Sequence, residues 1–378
     1  MSDITLTDEQ NQAIKGFMNW FKSFNIHSSK RFHYISGPAG TGKTTICKYI
    51  LDELESNNIF VCCCTFTGKA SVNFTEKTKY ISNTIHSVIY KPVFKDGKVI
   101  EWKLNFYDSP ILISDLILID EISMVYKELW EDLLKYNKPI LVFGDPYQLP
   151  PVNNDLLFNE DDFDFLLKTV HRQALDNPII RLSKEVREGK NIPYGTYGDK
   201  VVKIRQDEFS LRNLNKFDQI ICGKNDTRRE LNAFMRKLKG YNTILPSVNE
   251  KLICLRNNRE MNSFNGQIYT STSDVLSNDK RRGVFDIYLE NDYKDVERFT
   301  IFEDEFTNNI REERWKILKK NPWFCQFDYG YVISCHKSQG SEWNNVCVFD
   351  ESYCFRDDRK KWEYTAITRA KDKLLILK

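Results

Sequence analysis

Long hydrophobic runs are missing from this 378-residue sequence, and its polar start, MSDITLTDEQ, has no signal-peptide character. No membrane partner is expected, and the chain is assigned to a reducing, cytoplasmic setting such as a nucleoid or a viral or host replication compartment. Net charge is almost absent, at +2. A nucleic-acid partner would therefore have to be met by a local basic groove. C-x-x-C pairs are lacking although there are 10 cysteines. Cys62, Cys63 and Cys64 are consecutive in FVCCCTF, an apolar run that reads as a buried strand. This pattern argues against zinc and for reduced, buried thiols. There is no internal repeat and no low-complexity segment. With 41% hydrophobic and 29% charged residues, the composition is that of a globular chain of two or more domains.

The most informative stretch is RFHYISGPAGTGKTT, Arg31 to Thr45. Phe32 to Ile35 can form a buried strand. Gly37, Pro38, Ala39, Gly40, Thr41, Gly42, Lys43 and Thr44 then match the phosphate-binding loop G-x-x-x-x-G-K-[ST]. From Thr45 onward, Cys47, Ile50, Leu51 and Leu54 recur at helical spacing. Strand, glycine loop and helix N-terminus follow in the order such a loop requires. Glycine lets backbone N–H groups close around phosphate oxygens, and the helix dipole favours the anion. Lys43 is expected on the β- and γ-phosphates of ATP, and the Thr44 hydroxyl on Mg²⁺.

Other segments build on that centre. Thr7 and Gln10 fit a capping box at the start of a helix with Ala13, Ile14, Phe17, Met18 and Phe21 on its apolar face. Contact of Gln10 with an adenine base is the alternative. Ile59 to Phe66 reads as a strand ending in Thr65-Phe66-Thr67-Gly68-Lys69-Ala70-Ser71, which suits either a grip on a phosphodiester backbone or an ordinary strand-to-helix turn. Residues 87–108 interrupt the α/β alternation with a hairpin, Val93 to Ile100, turning at Asp96-Gly97. Leu116 to Ile119 is apolar on both faces, as a covered parallel strand should be, and ends in Asp120-Glu121. In a phosphate-loop enzyme that position needs a carboxylate for Mg²⁺, Asp120, and a base for the attacking water, Glu121. The strand Ile140 to Phe143 leads to Gly144-Asp145-Pro146-Tyr147-Gln148, where Gln148 can reach a γ-phosphate. From His171 the α/β pattern restarts. Residues 267–325 read as a small β-rich insertion, Trp362 to Lys371 as a helix, and Leu374 to Leu377 as the last strand.

GPAGTGKTT, LILIDEISM, GDPYQLPPV, VISCHKSQGSEW and YTAITRA, in this order, resemble the ordered motifs of superfamily 1 helicases, most nearly the RecD and Dda branch called superfamily 1B. The resemblance implies an α/β chain with two RecA-like P-loop domains and parallel sheets, residues 1–170 and 171–378. It implies a strand-separating hairpin at about 87–108 in the first and a small SH3-like insertion at about 267–325 in the second. ATP and Mg²⁺ would lie between the domains. Gln10 would then read adenine. Thr45 closes the loop motif, Gln148 senses the γ-phosphate, and Arg172 and Arg369 reach it from the second domain. Gln339, Gly340 and Glu342 would touch nucleotide across the cleft. Thr65, Phe66, His86, Phe94, Pro151, His336 and Lys337 lie where family members touch the strand. The implied activity is an ATP hydrolase and DNA helicase that moves along single-stranded DNA, 5′ to 3′, and opens forks. It would act as a monomer, with replication or recombination proteins as possible partners. The alternative is an ATP-dependent nucleic-acid-binding switch or translocase that does not unwind.

Overall fold

The computed structural model describes residues 6–25, 27, 30–95, 98–150, 157–158, 162–170, 176–258, 260–261, 263–279, 283–291, 294–307 and 314–378; for 92, 94–95, 98–101, 314–315 and 319 it describes the backbone. Two RecA-like α/β units follow one another along the chain. The first is built on a six-stranded sheet with strands β1 (Phe32–Ser36), β2 (Val61–Thr65), β3 (Ser82–Thr84), β6 (Leu116–Ile119), β7 (Ile140–Gly144) and β8 (Phe165–Leu166), in the order β3-β2-β6-β7-β1-β8. Every neighbouring pair is parallel. Helices Asp8–Ser23 and Lys43–Ser56 cover one face, packing Phe17, Ile46, Ile50 and Leu54 against Cys63, Leu118 and Leu141. Leu129, Trp130 and Leu133 cover the other, against Cys62, Ile117, Ile119 and Val142. A strand covered on both sides has no polar face to show, which is why LILI and ILVF are uninterrupted.

Parallel pairing brings the C-terminal ends of β1, β6 and β7 to one edge. Ser36 pairs with Gly144, and Ile119 with Val142. The segments that leave this edge are the phosphate-binding loop, Asp120-Glu121 and the Asp145 segment. Ligands of open parallel sheets bind at that edge.

Gly144 sits where two of these segments nearly touch. A Cβ there would lie 2.5 Å from Ile122 Cγ2 and 2.9 Å from Tyr34 Oη. Gly144→Ala is therefore expected to destabilise the first unit by about 1–3 kcal/mol through overpacking. Urea denaturation followed by tryptophan fluorescence checks this; an unchanged midpoint would show that the turn has room to relax.

Between β3 and β6 the chain leaves the sheet to form a separate antiparallel pair, β4 (Tyr90–Lys95) and β5 (Lys98–Leu104). Tyr90 faces Leu104, Phe94 faces Val99 and Lys95 faces Lys98, with a register shift between Val93 and Phe94. The hairpin is longer than Val93 to Ile100. Its Asp96-Gly97 turn lies outside the described residues.

The second unit holds β9 (Gly195–Tyr197), β10 (Val201–Ile204), β11 (Gln219–Cys222), β19 (Val332–Ser334), β20 (Trp343–Phe349) and β21 (Ala370–Leu377), in the order β19-β11-β20-β21-β10-β9. Only β9 runs antiparallel to its neighbour. Helices Pro178–Arg187 and Arg359–Ile367 cover one face. Helix Asn225–Leu238 presents Leu231 and Met235 to the other. The expected helix Trp362–Lys371 instead ends at Ile367, because Ala370 already pairs with Trp343 and draws the chain into β21. Arg369 therefore stands on a helix-to-strand turn.

The β-rich insertion is larger than 267–325. It is a seven-stranded sheet from β12 (Lys251–Cys254) to β18 (Phe327–Tyr329), with β13 (Ile268–Ser271), β14 (Ser277–Asp279), β15 (Val284–Glu290), β16 (Val296–Phe302) and β17 (Phe324–Cys325) between. Leu252 pairs with Tyr329, so the first and last strands lie side by side. Its apolar side, with Tyr269, Phe285, Phe299 and Phe327, joins one core with Ile220 and Val332 of the second sheet. Nine cysteines are buried as free thiols, and Cys354 is exposed. Among the described residues no helix is long and apolar enough to cross a membrane.

Candidate nucleotide site and strand-facing residues

A cleft of about 440 Å³ opens between the two units. The first unit lines it with Pro38, Ala39, Gly40, Gly42, Lys43, Thr44, Thr45, Asp120, Glu121, Asp145 and Gln148, and the second with Gly340, Glu342 and Arg369. Residues read from distant parts of the sequence thus line one cleft. Gly42 takes φ 80° as the residue before the helix, which starts at Lys43. A side chain is strained in that left-handed conformation, whereas glycine is not. The first-turn N–H groups have no partner inside a helix and so point toward an anion. The Lys43 ammonium donates to Gly37 O at 2.5 Å and Pro38 O at 3.1 Å, bridging the mouth of its own loop.

Gln10 forms the cap expected of it and also touches the phosphate-binding loop. The capping box forms, with Thr7 N–H donating to Gln10 Oε1 at 3.0 Å and Gln10 N–H to Thr7 Oγ1 at 3.2 Å. The same amide donates from Nε2 to Thr41 O at 3.3 Å, which fastens the helix to the back of the phosphate-binding loop.

The carboxylates stand opposite the loop. Burial pushes the Asp120 carboxyl above its usual range despite the Lys43 charge. Glu121 is pushed up to about 7, first by burial and then by Asp120, against the pull of Arg369 and Lys43. A base serves best when its pKa lies near the working pH. Glu121 also holds φ 58°, ψ 49°. That left-handed conformation costs a non-glycine residue roughly 1–2 kcal/mol. Strain of this kind collects where a side chain must be aimed. Thr44 and Asp120 offer only oxygen to a metal. Among the described residues no group of three or more His, Cys, Asp or Glu could hold one. This donor set fits Mg²⁺, which takes one or two protein oxygens and fills its shell with phosphate and water.

Gln148 is buried, and its Oε1 has no hydrogen-bond partner among the described residues. A buried acceptor left open on a cleft wall is available to a ligand or to water. Across the cleft, Arg369 is 4% exposed. Its guanidinium donates to Thr365 O at 3.0 Å, Ser341 O at 3.2 Å and Thr368 Oγ1 at 3.0 Å, all within its own unit. Glu342 pairs with Lys77 at 3.2 Å and Lys371 at 3.8 Å. Burial opposes its charge, but Lys77, Arg369 and Lys371 outweigh burial and hold the carboxyl below its usual range. Gly340 O accepts from Asn73 Nδ2 at 3.5 Å. Gln339 does not line the cleft; its amide donates to Leu149 O at 2.6 Å. Arg172 and Pro151 lie outside the described residues.

The residues expected to touch a strand are differently placed. Thr65 is wholly buried, and its hydroxyl donates to Thr67 O at 3.0 Å. His86 Nε2 shares a hydrogen bond with Tyr126 Oη at 3.0 Å. The Phe66 ring meets both rings edge-on, at 5.7 Å from His86 and 6.2 Å from Tyr126. His336 lies 5.7 Å from the Phe355 ring, and burial lowers its pKa. Lys337 donates to Leu255 O at 3.1 Å and to Asn265, and burial pushes it down to about 8. Only the backbone of Phe94 is described. A second cavity, of about 780 Å³, lies between Trp102 of the hairpin and Leu255, Arg256, Asn258 and Gln326 of the insertion.

Spacing gave no signal for Asp145, which lines the cleft, or for Tyr364 and Thr365, which bond to the segments beside it. Ala39 N–H donates to Tyr364 Oη at 2.7 Å, and Tyr364 donates to Asp145 Oδ2 at 2.6 Å. Leu149 N–H donates to Thr365 Oγ1 at 2.9 Å.

Comparison with known proteins agrees with this geometry. A family model described as an AAA domain matches residues 5–204, and one described as a UvrD-like helicase C-terminal domain matches residues 329–377. The ATP-dependent RecD2 DNA helicase of Deinococcus radiodurans is 26% identical over 371 residues, which cover 91% of this chain and 46% of that protein. The ATP-dependent DNA helicase dda of Enterobacteria phage T4 is 30% identical over 202 residues, covering 49% of this chain and 43% of dda. The chain thus spans about half the length of these curated relatives. The crystal structure of Bacteroides Pif1 bound to single-stranded DNA superposes with a TM-score of 0.53 at 17% identity, covering 99% of this chain and 92% of that one. At this identity the likeness establishes the fold. The chain belongs to the AAA-domain family of phosphate-loop proteins, in the RecD- and Dda-like branch of superfamily 1B helicases.

Proposed function

We propose that this protein hydrolyses ATP in the cleft between its two RecA-like units and uses the cycle to move along single-stranded DNA, 5′ to 3′, separating duplex ahead of it. The observation that carries the reading is the meeting of Lys43, Glu121 and Arg369 on one cleft, with Arg369 supplied by the opposite unit. Lys43 neutralises charge on the β- and γ-phosphates. Glu121 takes a proton from the attacking water, and Gln148 helps to orient that water through its open Oε1. Thr44 and Asp120 would hold Mg²⁺, which would neutralise phosphate charge when bound. Charge on the transferring phosphoryl group meets the Arg369 guanidinium only when the units close, so hydrolysis is tied to domain motion.

The RecD2 and dda relatives, both ATP-dependent DNA helicases, and the single-stranded DNA bound by Bacteroides Pif1 support DNA as the track. Phe66, with its aromatic neighbours, and the cavity between hairpin and insertion are the surfaces we assign to the strand. Stacking and phosphate contacts suit a motor because neither depends on sequence. We read the seven-stranded insertion as the SH3-like subdomain of this branch. ATP turnover measured with and without single-stranded DNA tests the reading: turnover should rise several-fold with the strand, and a rate indifferent to it would point to an unrelated nucleotide switch.

The hairpin is assigned to the fork. It stands apart from the first sheet, and Lys95 faces Lys98 near its tip. Two lysines in register near the tip add positive charge of the kind a DNA backbone attracts. Replacing Phe94 to Val99 with a short Gly-Ser linker should leave strand-stimulated ATPase and single-strand translocation nearly intact while duplex unwinding falls steeply. Wild-type unwinding by that variant would remove the hairpin from the mechanism.

A further inference from the structure

Several of the buried hydrogen bonds between the two units gather on one short segment. Asp145–Leu149 leaves β7 of the first unit with Gln148 near its end. Three residues of the second unit hold it by both flanks. Tyr364 donates to Asp145 Oδ2 at 2.6 Å while accepting from Ala39 N–H of the phosphate-binding loop at 2.7 Å. On the other flank, Leu149 N–H donates to Thr365 Oγ1 at 2.9 Å, and Leu149 O accepts from Gln339 Nε2 at 2.6 Å. Tyr364, Thr365, Gln339 and Leu149 are all at most 4% exposed. Hydrogen bonds buried this deeply are costly to break and hard for water to replace.

The same residues reach Arg369. Thr365 O accepts from Arg369 Nε at 3.0 Å, so one residue holds Leu149 through its hydroxyl and Arg369 through its carbonyl. A shift of the Gln148 segment therefore pulls on the helix Arg359–Ile367 and on the arginine that follows it. The units also touch at Asn73–Gly340 and Lys77–Glu342, but three buried hydrogen bonds end on Asp145 and Leu149, the flanks of the segment that carries the open acceptor of the cleft.

We propose that Tyr364, Thr365 and Gln339 are positioning residues, an interdomain clamp through which the state of the nucleotide at Gln148 is passed to the second unit and to Arg369. This rests on the reading of the cleft as the nucleotide site. It gives Gln339 a role between the domains, at Leu149, in place of direct nucleotide contact.

The test measures coupling between the two ligands, which a purely structural bond would not change. The dissociation constant of a labelled oligodeoxythymidylate is measured with and without a non-hydrolysable ATP analogue and Mg²⁺. The wild type should show a marked ratio between the two values. In Tyr364→Phe and Thr365→Val the ratio should collapse to within about twofold of one, a loss of most of a coupling of typical size. Thr365→Ser keeps the hydroxyl and should restore it. Should Tyr364→Phe fail to fold, Thr365→Val and Thr365→Ser carry the test from the other flank. A wild-type ratio retained in the folded variants overturns the clamp alone. A wild type whose strand affinity ignores the analogue overturns the reading of the cleft and the clamp with it.

Discussion

Glu121→Gln is expected to lower ATP turnover by about 10²–10⁴-fold, the range a general base contributes, while nucleotide still binds. The substitution keeps the shape of the side chain and removes only its ability to accept a proton. The left-handed turn that aims Glu121 is backbone geometry and should survive. In the proposed mechanism binding rests on other groups: the loop amides, Lys43 and Thr44. Lys43→Ala should therefore behave differently. It removes the charge opposite the phosphates and should weaken ATP binding as well as abolish turnover. The pair of variants separates chemistry from binding. A filter-binding or fluorescence titration with labelled ATP, run beside steady-state turnover at saturating single-stranded DNA, reads both. Normal turnover by Glu121→Gln would sink its assignment as base and return Asp120-Glu121 to a structural strand end.

Arg369→Ala should lower kcat by about 10³-fold, as loss of an arginine finger does, with a much smaller effect on ATP affinity. In the structure the guanidinium is held by Thr365, Ser341 and Thr368 of its own unit while lining the shared cleft. Those bonds preorganise it, and in the proposed mechanism closure completes its reach to the phosphoryl group. An interaction made only in the transition state appears in kcat and spares ground-state binding. The competing account is that Arg369 only ties the end of the helix Arg359–Ile367 to Ser341. That account predicts a lowered melting temperature and a kcat near wild type. Thermal melting and strand-stimulated turnover on the same preparation therefore decide between them.

The parts of the site that were legible in the sequence are those whose chemistry is local. The phosphate-binding loop needs glycine, lysine and threonine at fixed spacing after a strand, and all of them lie between Gly37 and Thr45. The acidic pair follows from an uninterrupted apolar strand ending in two carboxylates. The parallel sheets were legible for the same reason, since burial on both faces removes alternation. What stayed hidden depends on partners far along the chain. Ala39 and Tyr364 are 325 residues apart, and Leu149 and Gln339 are 190 apart. No local pattern reports such a bond.

Thr65 and His86 show the converse. Their residue types suit a strand, but the fold buries the Thr65 hydroxyl against Thr67 O and pairs His86 with Tyr126. The insertion was under-measured because β12 and β18 are short runs, of 4 and 3 residues, that only their mutual pairing identifies as strands of that sheet. The last helix was over-extended because Thr368 to Lys371 continues a helical pattern that pairing of Ala370 with Trp343 overrides.

The central claim is a motor that converts ATP hydrolysis into directed strand separation. Its most direct measurement is unwinding of two otherwise identical duplexes, one with a 5′ single-stranded tail and one with a 3′ tail, by wild-type protein and by Lys43→Ala. The account predicts ATP-dependent opening of the 5′-tailed duplex, little opening of the 3′-tailed one, and none by Lys43→Ala. Strand-stimulated ATP hydrolysis by the wild type without opening of either duplex would contradict it.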